Sequence, residues 1–168
     1  MISDDSIRDE ASTPVEDRIR IVEPRPGHEE GLACLSRNFV EEAPWAANIP
    51  IGQMTEAAEA SSRLFGEHVA AARVAVTGQG EVVGYAGVYR RPHVMDLSVL
   101  VHRDQRRHGL GRELIARVFQ ALPSGTEVEA WVAAVNETSL RAMPAMGFVL
   151  DRTIEDQGRK VRVYTRMA

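Results

Sequence analysis

The chain alternates between two spacings of apolar residues, one typical of strands and one typical of helices. Residues 18–24 (RIRIVEP) alternate polar and apolar side chains, which predicts a first β-strand. In residues 26–43, Leu32, Leu35 and Phe39 recur at helical spacing. The same two patterns predict, in order, a helix over 55–66, strands over 68–78, 81–90 and 93–101, a helix over 110–122, a strand over 127–135, a helix over 136–147 and two strands around Gly158. No linker or repeat interrupts this order, so we expect one mixed α/β sheet.

Polar residues and glycines mark the ends of several predicted elements. We expect Thr55 to cap the start of the second helix, because a side-chain hydroxyl accepts a hydrogen bond from the free N–H groups there. Gly66 is expected to end that helix. Asn136 is predicted to cap the last helix in the same way as Thr55. Residues 78–80 (GQG) predict a tight hairpin between two strands.

Composition and charge narrow the class of protein. The chain has 168 residues and a net charge of −4, which argues against a nucleic acid or an acidic membrane as its partner. Residues 1–15 are acidic and lack an apolar segment, which predicts a disordered tail, not a signal peptide, before one domain over 16–168. Cys34 is the single cysteine; among apolar neighbours we interpret it as a small buried side chain. Without a disulfide, a cytoplasmic location is expected.

The sequence QRRHGLGRE, residues 105–113, joins a predicted strand to a predicted helix. Glycines let the backbone approach a ligand closely, and the N–H groups and dipole of a helix start attract phosphate. Arginine side chains add bidentate donors to phosphate oxygens. The alternative is a solvated basic turn. The spacing excludes a Walker loop, which requires Gly-Lys-Ser/Thr, and a dinucleotide fingerprint, which requires a glycine where Leu114 stands.

Residues 101–111 (VHRDQRRHGLG) resemble the acetyl-CoA signature of the GNAT superfamily of N-acetyltransferases. Its core, Arg-x-x-Gly-x-Gly, is met by Arg106, Gly109 and Gly111. A second element is similar as well, because Asn136, Ser139 and Leu140 begin a helix that ends in Gly147 and Phe148. Residues 81–90 resemble the family's third strand. The resemblance implies a mixed, mostly antiparallel twisted sheet of about seven strands with about four flanking helices, in which the fourth and fifth strands splay apart.

The resemblance also implies a site for acetyl-CoA as cosubstrate. Its pantetheine arm would lie between the splayed strands, paired with main-chain groups of Val99, Leu100 and Val101. Asn136 and Ser139 would contact the arm from the other side. Arg103, Arg107 or Arg112 would meet the ribose phosphate. The pyrophosphate would be held by amides of the loop, which are those of Arg106, Arg107, His108, Gly109, Leu110, Gly111 and Arg112. The histidines show no metal-ligand spacing, so no metal is expected.

The implied activity is transfer of an acetyl group, by direct attack, to a primary amine of a small molecule or to an exposed protein amine. The chain departs from the family where a proton donor is expected, since Met143 occupies the position of the usual tyrosine and a thioether donates no proton. Met95 and Leu97 occupy the positions where the family tends to place a base. Asp96 and His93 are the candidate bases, although strand alternation turns Asp96 to the face of Ser98 and Leu100.

Other assignments stay open at this point. Glu41 and Glu42, in a segment expected to overhang the acceptor, are further candidate bases, and their charge slightly favours a cationic amine. Dimers occur in the family, but no residue specifies a homodimer. Two other functions compete with acetyl transfer, namely a non-catalytic acyl-CoA sensor, favoured by Met143, and an unrelated phosphate-binding domain.

Overall fold

The computed structural model describes residues 18–168, so the predicted tail over residues 1–15 lies outside the described residues. The seven strands are β1 (Arg20–Val22), β2 (Val69–Val76), β3 (Val82–Arg90), β4 (Met95–Val101), β5 (Glu127–Ala133), β6 (Val149–Asp156) and β7 (Arg159–Met167). The four α-helices are α1 (His28–Glu42), α2 (Ala57–Phe65), α3 (Leu110–Gln120) and α4 (Glu137–Ala145). Short 3₁₀ turns cover Pro44–Asn48, Pro50–Gly52 and Arg103–Gln105.

All seven strands form one sheet in the order β1-β2-β3-β4-β5-β7-β6. Hairpins make β2, β3 and β4 antiparallel neighbours, while α3 crosses over between β4 and β5 and makes that pair parallel. The predicted fold class is therefore confirmed, including its mostly antiparallel sheet and its four helices. Within residues 18–168, no helix has the length and apolar character that crossing a bilayer requires.

Two hydrophobic clusters cover the two faces of the sheet. On one face, α1 and α2 pack on β2 and β3 through buried residues that include Leu32, Leu64 and Tyr85. On the other face, α3 packs through Leu114 and Val118 together with the residues of α4 that are buried. Strand alternation decides which side chains of β4 meet which layer, since odd and even positions point to opposite faces. We call the face of the sheet on which α1 and α2 pack the α1/α2 face. This face continues across β4 and β5.

Two local predictions were wrong and two were confirmed. Helix α2 begins one residue later than expected, with Glu56 as its N-cap in place of Thr55, and the Glu56 N–H donates to Oε2 of Glu59 at 3.2 Å. Cys34 is exposed, not buried, because its helical position lies opposite the buried stripe of α1. Gly66 does end α2, and Oδ1 of Asn136 caps α4.

Gly87 in β3 is predicted to be essential for packing. A Cβ at this position would lie 2.2 Å from the hydroxyl of Tyr85, which is fully buried on the α1/α2 face. We therefore expect Gly87→Ala to lower the free energy of unfolding by about 1–3 kcal/mol, the usual cost of overpacking a core. Urea denaturation measures this, with Gly111→Ala as the matched control because a Cβ there meets only ordinary contacts. Equal stability of the two variants would contradict the prediction.

Candidate functional site

A gap opens in the middle of the sheet between β4 and β5. The two strands pair only at Met95 with Val128 and at Asp96 with Glu129, and then diverge. The predicted splay of these strands is therefore confirmed. Because a strand has backbone donors and acceptors on both edges, the divergence leaves groups of β4 facing the gap without a neighbouring strand.

The register with β3 shows which backbone groups of β4 face the gap. The His102 N–H donates to the Val83 carbonyl at 2.8 Å, and the Arg91 N–H donates to the Val94 carbonyl at 2.8 Å. In an antiparallel ladder such pairs recur at every second residue, so even-numbered residues of β4 bond to β3. The N–H and C=O groups of Leu97, Val99 and Val101 consequently point toward β5.

This register corrects one predicted contact and keeps two others. The backbone of Leu100 is directed at Tyr85 in β3, and its side chain is buried among residues of α1 and α2. Its predicted main-chain contact with a ligand in the gap is therefore incompatible with the ladder. Val99 and Val101 keep the predicted orientation, whereas the N–H of Leu97 is taken up by the last pair of the β4–β5 ladder.

The loop after β4 ends at the N-terminus of α3, directly above the gap. Gly109 is the N-cap with φ of 78°, and no side chain caps the free N–H groups of the first turn. Arg107 also has a left-handed backbone, with φ of 65°. A Cβ on Gly111 would lie 3.5 Å from Cγ2 of Val101 and 4.0 Å from Cγ1 of Val99. The helix start thus lies against the odd-numbered face of β4, where its amides can reach an anion at the mouth of the gap.

The guanidinium of Arg106 is held by protein groups on several sides. Its Nε donates to the Val101 carbonyl at 3.1 Å, its Nη2 donates to Oε2 of Glu42 at 3.1 Å, and its Nη1 bonds to the other carboxylate oxygen. It also lies 5.7 Å from the ring centroid of Phe39. The side chain therefore ties the loop to α1, so that any phosphate contact at this residue falls to its backbone amide.

These same residues line a cavity of about 360 Å³ between the end of α1 and the end of β4. Glu41 and Glu42 both belong to its wall. The hydrogen bond from Arg106 lowers the pKa of the Glu42 carboxyl, so Glu42 is a fixed anion and a poor proton acceptor. The cavity lies beside the loop, at the carboxyl end of β4.

The other predicted contacts lie around the same opening. Arg103, Arg107, His108 and Arg112 are exposed on the loop and at the helix start. Leu110 is buried beneath the loop in the core, so only its backbone can face outward. Across the gap, Asn136 and Ser139 are half-buried, and the Ser139 N–H donates to Oδ1 of Asn136 at 3.2 Å. The structure thus brings the sequence-predicted cofactor residues to one end of the gap.

Asp96 lies at the closed end of the gap, on the α1/α2 face. It belongs to the last paired position before the strands diverge, and only 6% of its surface is exposed. Burial raises the pKa of its carboxyl, and the nearby Glu129 adds to the rise, while Arg91 and Arg63 oppose it. The Arg91 Nη2 lies 2.7 Å from its Oδ2. A carboxylate with a raised pKa is suited to accept a proton near neutral pH.

Glu129, beside Asp96 on β5, is held from two sides. Its Oε1 accepts from Nη1 of Arg152 at 3.0 Å, and its Oε2 accepts from Nε1 of Trp131 at 2.9 Å. Trp131 nevertheless stays 41% exposed. Both oxygens are thereby engaged, and the carboxyl of Glu129 is held in place beside Asp96.

The gap is partly covered on the face that carries Asp96. Nη1 of Arg159, at the start of β7, donates to the Trp45 carbonyl in the first 3₁₀ turn at 2.6 Å. The ring of Trp45 packs edge-on against Phe39, with centroids 6.0 Å apart. The turn that contains Trp45 is thereby joined to the start of β7 on the face of the sheet that carries Asp96 and Trp131.

The remaining catalytic candidates are placed less favourably. His93 precedes β4, is exposed and belongs to the turn after β3. Met143 is buried in the α3-side cluster, where its thioether supports packing. Sequence reasoning missed Arg63, Tyr89, Arg91 and Glu129 around Asp96. Of these, Tyr89 is accessible to sequence reasoning, because a turn from Arg91 to Val94 fixes the register of the hairpin. That register places Tyr89 opposite Asp96.

The sheet is open and mixed, its one parallel pair of strands splays apart, and a helix starts above the gap between them. This arrangement defines a class of acyltransferase fold. The sequence model of the acetyltransferase (GNAT) family matches residues 38–148, and the chain therefore belongs to this family. No curated protein sequence matches the chain significantly.

Solved structures with the same fold have low sequence identity to this chain. A GCN5-related N-acetyltransferase from Kribbella flavida has a TM-score of 0.69 and 18% identity, over 89% of this chain and 98% of its own. A protein from Salmonella typhimurium, described as an acetyltransferase and solved with its cofactor acetyl-CoA, has a TM-score of 0.69 and 18% identity over 89% and 93%. A phosphinothricin acetyltransferase from Sinorhizobium meliloti, in complex with acetyl-CoA, has a TM-score of 0.64 and 16% identity over 89% and 88%.

Proposed function

We propose that this protein transfers the acetyl group of acetyl-CoA to a primary amine by direct attack. The observation that carries the proposal is the gap between β4 and β5, with the uncapped start of α3 at its mouth and a buried carboxylate at its closed end. Membership of the GNAT family and acetyl-CoA in two similar structures support the choice of cosubstrate.

The cofactor would bind through backbone groups. The amides from Arg106 to Arg112 and the dipole of α3 would hold the diphosphate, with the exposed Arg107, Arg112 or Arg103 beside the ribose phosphate. The pantetheine arm would pair with the N–H and C=O groups of Val99 and with the N–H of Val101, whose carbonyl already accepts from Arg106. Asn136 and Ser139 would contact the arm from the β5 side.

The reaction requires a base, an oxyanion donor and a leaving group. An amine in water has a pKa near 10, so it must lose a proton to attack the thioester carbon, and Asp96 would accept that proton. A gap-facing N–H of β4 beyond the paired positions, such as that of Val99, would stabilise the oxyanion. The carbon–sulfur bond then breaks, and CoA leaves as a thiolate, which is a far weaker base than an alkoxide and can take its proton from water, so a protein donor is dispensable. Met143 is consequently no obstacle to turnover.

Binding and turnover are measured separately, because Met143 also favours a non-catalytic sensor of acyl-CoA. Calorimetric titration with acetyl-CoA is expected to give one saturable site per chain. Release of free thiol is then followed with a panel of primary amines. Thiol release that depends on the amine supports the enzyme, whereas tight binding without turnover on every amine supports the sensor. Failure to bind at millimolar acetyl-CoA contradicts both.

A further inference from the structure

A second cavity, of about 460 Å³, lies between the end of α2 and the end of β3. Its charged lining consists of Arg63, Arg90, Arg91, His68 and Glu67. The side chain of Glu67 is 90% exposed and lies 3.9 Å from His68, so it points its charge largely into solvent. The interior of the cavity is therefore dominated by guanidinium groups.

Two of the three arginines already have partners. Nη1 of Arg90 donates to the Val69 carbonyl at 3.1 Å, and Arg91 forms the ion pair with Asp96. Arg63 is half-buried and stacks on the ring of Tyr89, with 4.3 Å between its Cζ and the ring centroid. Across residues 18–168, no carboxylate lies within ion-pair distance of Arg63. A partly desolvated cation of this kind is stabilised further by an anion that enters the cavity.

The cavity is adjacent to the proposed site of proton transfer. Tyr89, which supports Arg63, lies directly opposite Asp96 in the β3–β4 ladder, on the same face of the sheet. Arg91 reaches from the cavity wall to Asp96 itself. An anionic group bound at Arg63 would thus lie about one side chain away from the carboxylate that accepts the proton of the amine.

From this arrangement we infer that the acceptor is an amine that also carries a carboxylate, that is, a molecule of the amino acid class. The inference rests on the proposed function and specifies its second substrate. Arg63 binds the carboxylate, while the amino group of the same molecule lies toward Asp96 and the closed end of the gap. A polyamine would instead place cations against three guanidinium groups. Glu42, whose charge favoured a cationic acceptor, is neutralised by Arg106 at the opposite end of β4.

The test compares amino acids with their own carboxamides as acceptors. The two members of each pair share the side chain and the amine, but the amide lacks the negative charge. Its amine loses a proton more easily but is the weaker nucleophile once neutral, so the two effects on reactivity offset each other and a large preference for the acid in KM reports binding. We expect kcat/KM, measured by thiol release, to be at least thirtyfold higher for the acid, with most of the difference in KM. Equal use of the amide, or preference for it or for a polyamine, would overturn the inference.

Substitution of Arg63 locates the preference. Arg63→Met keeps the apolar length of the side chain, and we expect it to raise KM for the acids at least thirtyfold while the Kd of acetyl-CoA stays unchanged. Because Arg63 also lowers the pKa of Asp96, the amides should lose a small part of their kcat/KM as well, and that loss should disappear at higher pH, where Asp96 is ionised in both proteins. Arg63→Lys keeps the charge and should recover much of the loss. Arg117→Met, on the exposed face of α3, is the matched control. An equal loss for acids and amides in Arg63→Met would overturn the assignment, even where thermal stability is unchanged.

Failure of the inference is distinguishable from failure of the proposed function. Turnover on amides or polyamines at equal efficiency contradicts the carboxylate site alone, because acetyl transfer still occurs. Binding of acetyl-CoA without thiol release on any amine contradicts acetyl transfer itself, and the amino acid acceptor with it.

Discussion

Gly111→Glu is expected to abolish binding of acetyl-CoA while the protein keeps or gains stability. A Cβ at Gly111 meets only Val101 and Val99 at ordinary contact distances, so a side chain fits there when the cofactor is absent. Glutamate is a better helix former than glycine by up to about 1 kcal/mol. A carboxylate in the first turn of α3 is also favoured by the helix dipole. The same carboxylate would repel the diphosphate and compete for the amides that hold it.

The expected size of the effect is an increase of at least a hundredfold in the Kd of acetyl-CoA, because both the charge and the access of the diphosphate are affected. Calorimetry measures the Kd, and thermal unfolding in the absence of ligand measures stability. Gly111→Ala, which adds a methyl group without charge, should bind with intermediate affinity. Unchanged affinity in Gly111→Glu, with the fold intact, would place the diphosphate elsewhere and contradict the proposed cofactor site.

The fold was predictable because its elements are short, regular and joined by strong local signals. The buried positions of α3 and the alternation in β4 predict both element type and face. The predicted N-cap of α2 is wrong because two neighbouring residues can both cap this helix. Thr55 and Glu56 are both able to cap α2, and the pairing of Glu56 with Glu59 decides between them. The apolar neighbours of Cys34 predict burial, but its phase in α1 places it on the exposed side of the helix.

The two halves of the candidate site differ in how far the sequence predicts them. The residues proposed for the diphosphate of the cofactor are contiguous from Arg106 to Arg112, so a short motif contains their arrangement. The acceptor side joins Arg63 of α2, Tyr89 of β3, Asp96 of β4 and Glu129 of β5, which meet only through the sheet register. No local pattern specifies such a set. Strand alternation directs Asp96 away from the face on which the family tends to carry its base. The structure shows that the face to which Asp96 does point, the α1/α2 face, holds a buried polar cluster.

Asp96→Asn is expected to lower kcat/KM for the amine by about 10²–10⁴-fold, the usual contribution of a general base. The amide has almost the same shape but cannot accept the proton, so the Kd of acetyl-CoA should not change. Arg91 loses its partner, yet at 44% exposure its side chain is solvated, and we expect only a small loss of stability. Steady-state thiol release measures the effect, with Glu81→Gln at the exposed β2–β3 turn as the control. A loss below threefold would exclude Asp96 as the base.

The pH dependence provides an independent check on the same carboxyl. Burial raises the pKa of Asp96, so kcat/KM of the wild type should fall as the pH drops through that raised value, at a higher pH than an ordinary aspartate would give. Arg91→Gln removes a positive neighbour, which favours the protonated carboxyl and should move the fall to still higher pH. Glu129→Gln removes a negative neighbour and should move it to lower pH. Protonation of the acceptor amine contributes equally to all three pH profiles. Opposite shifts in the two variants can therefore come only from a group that lies between Arg91 and Glu129. Asp96 is in that position.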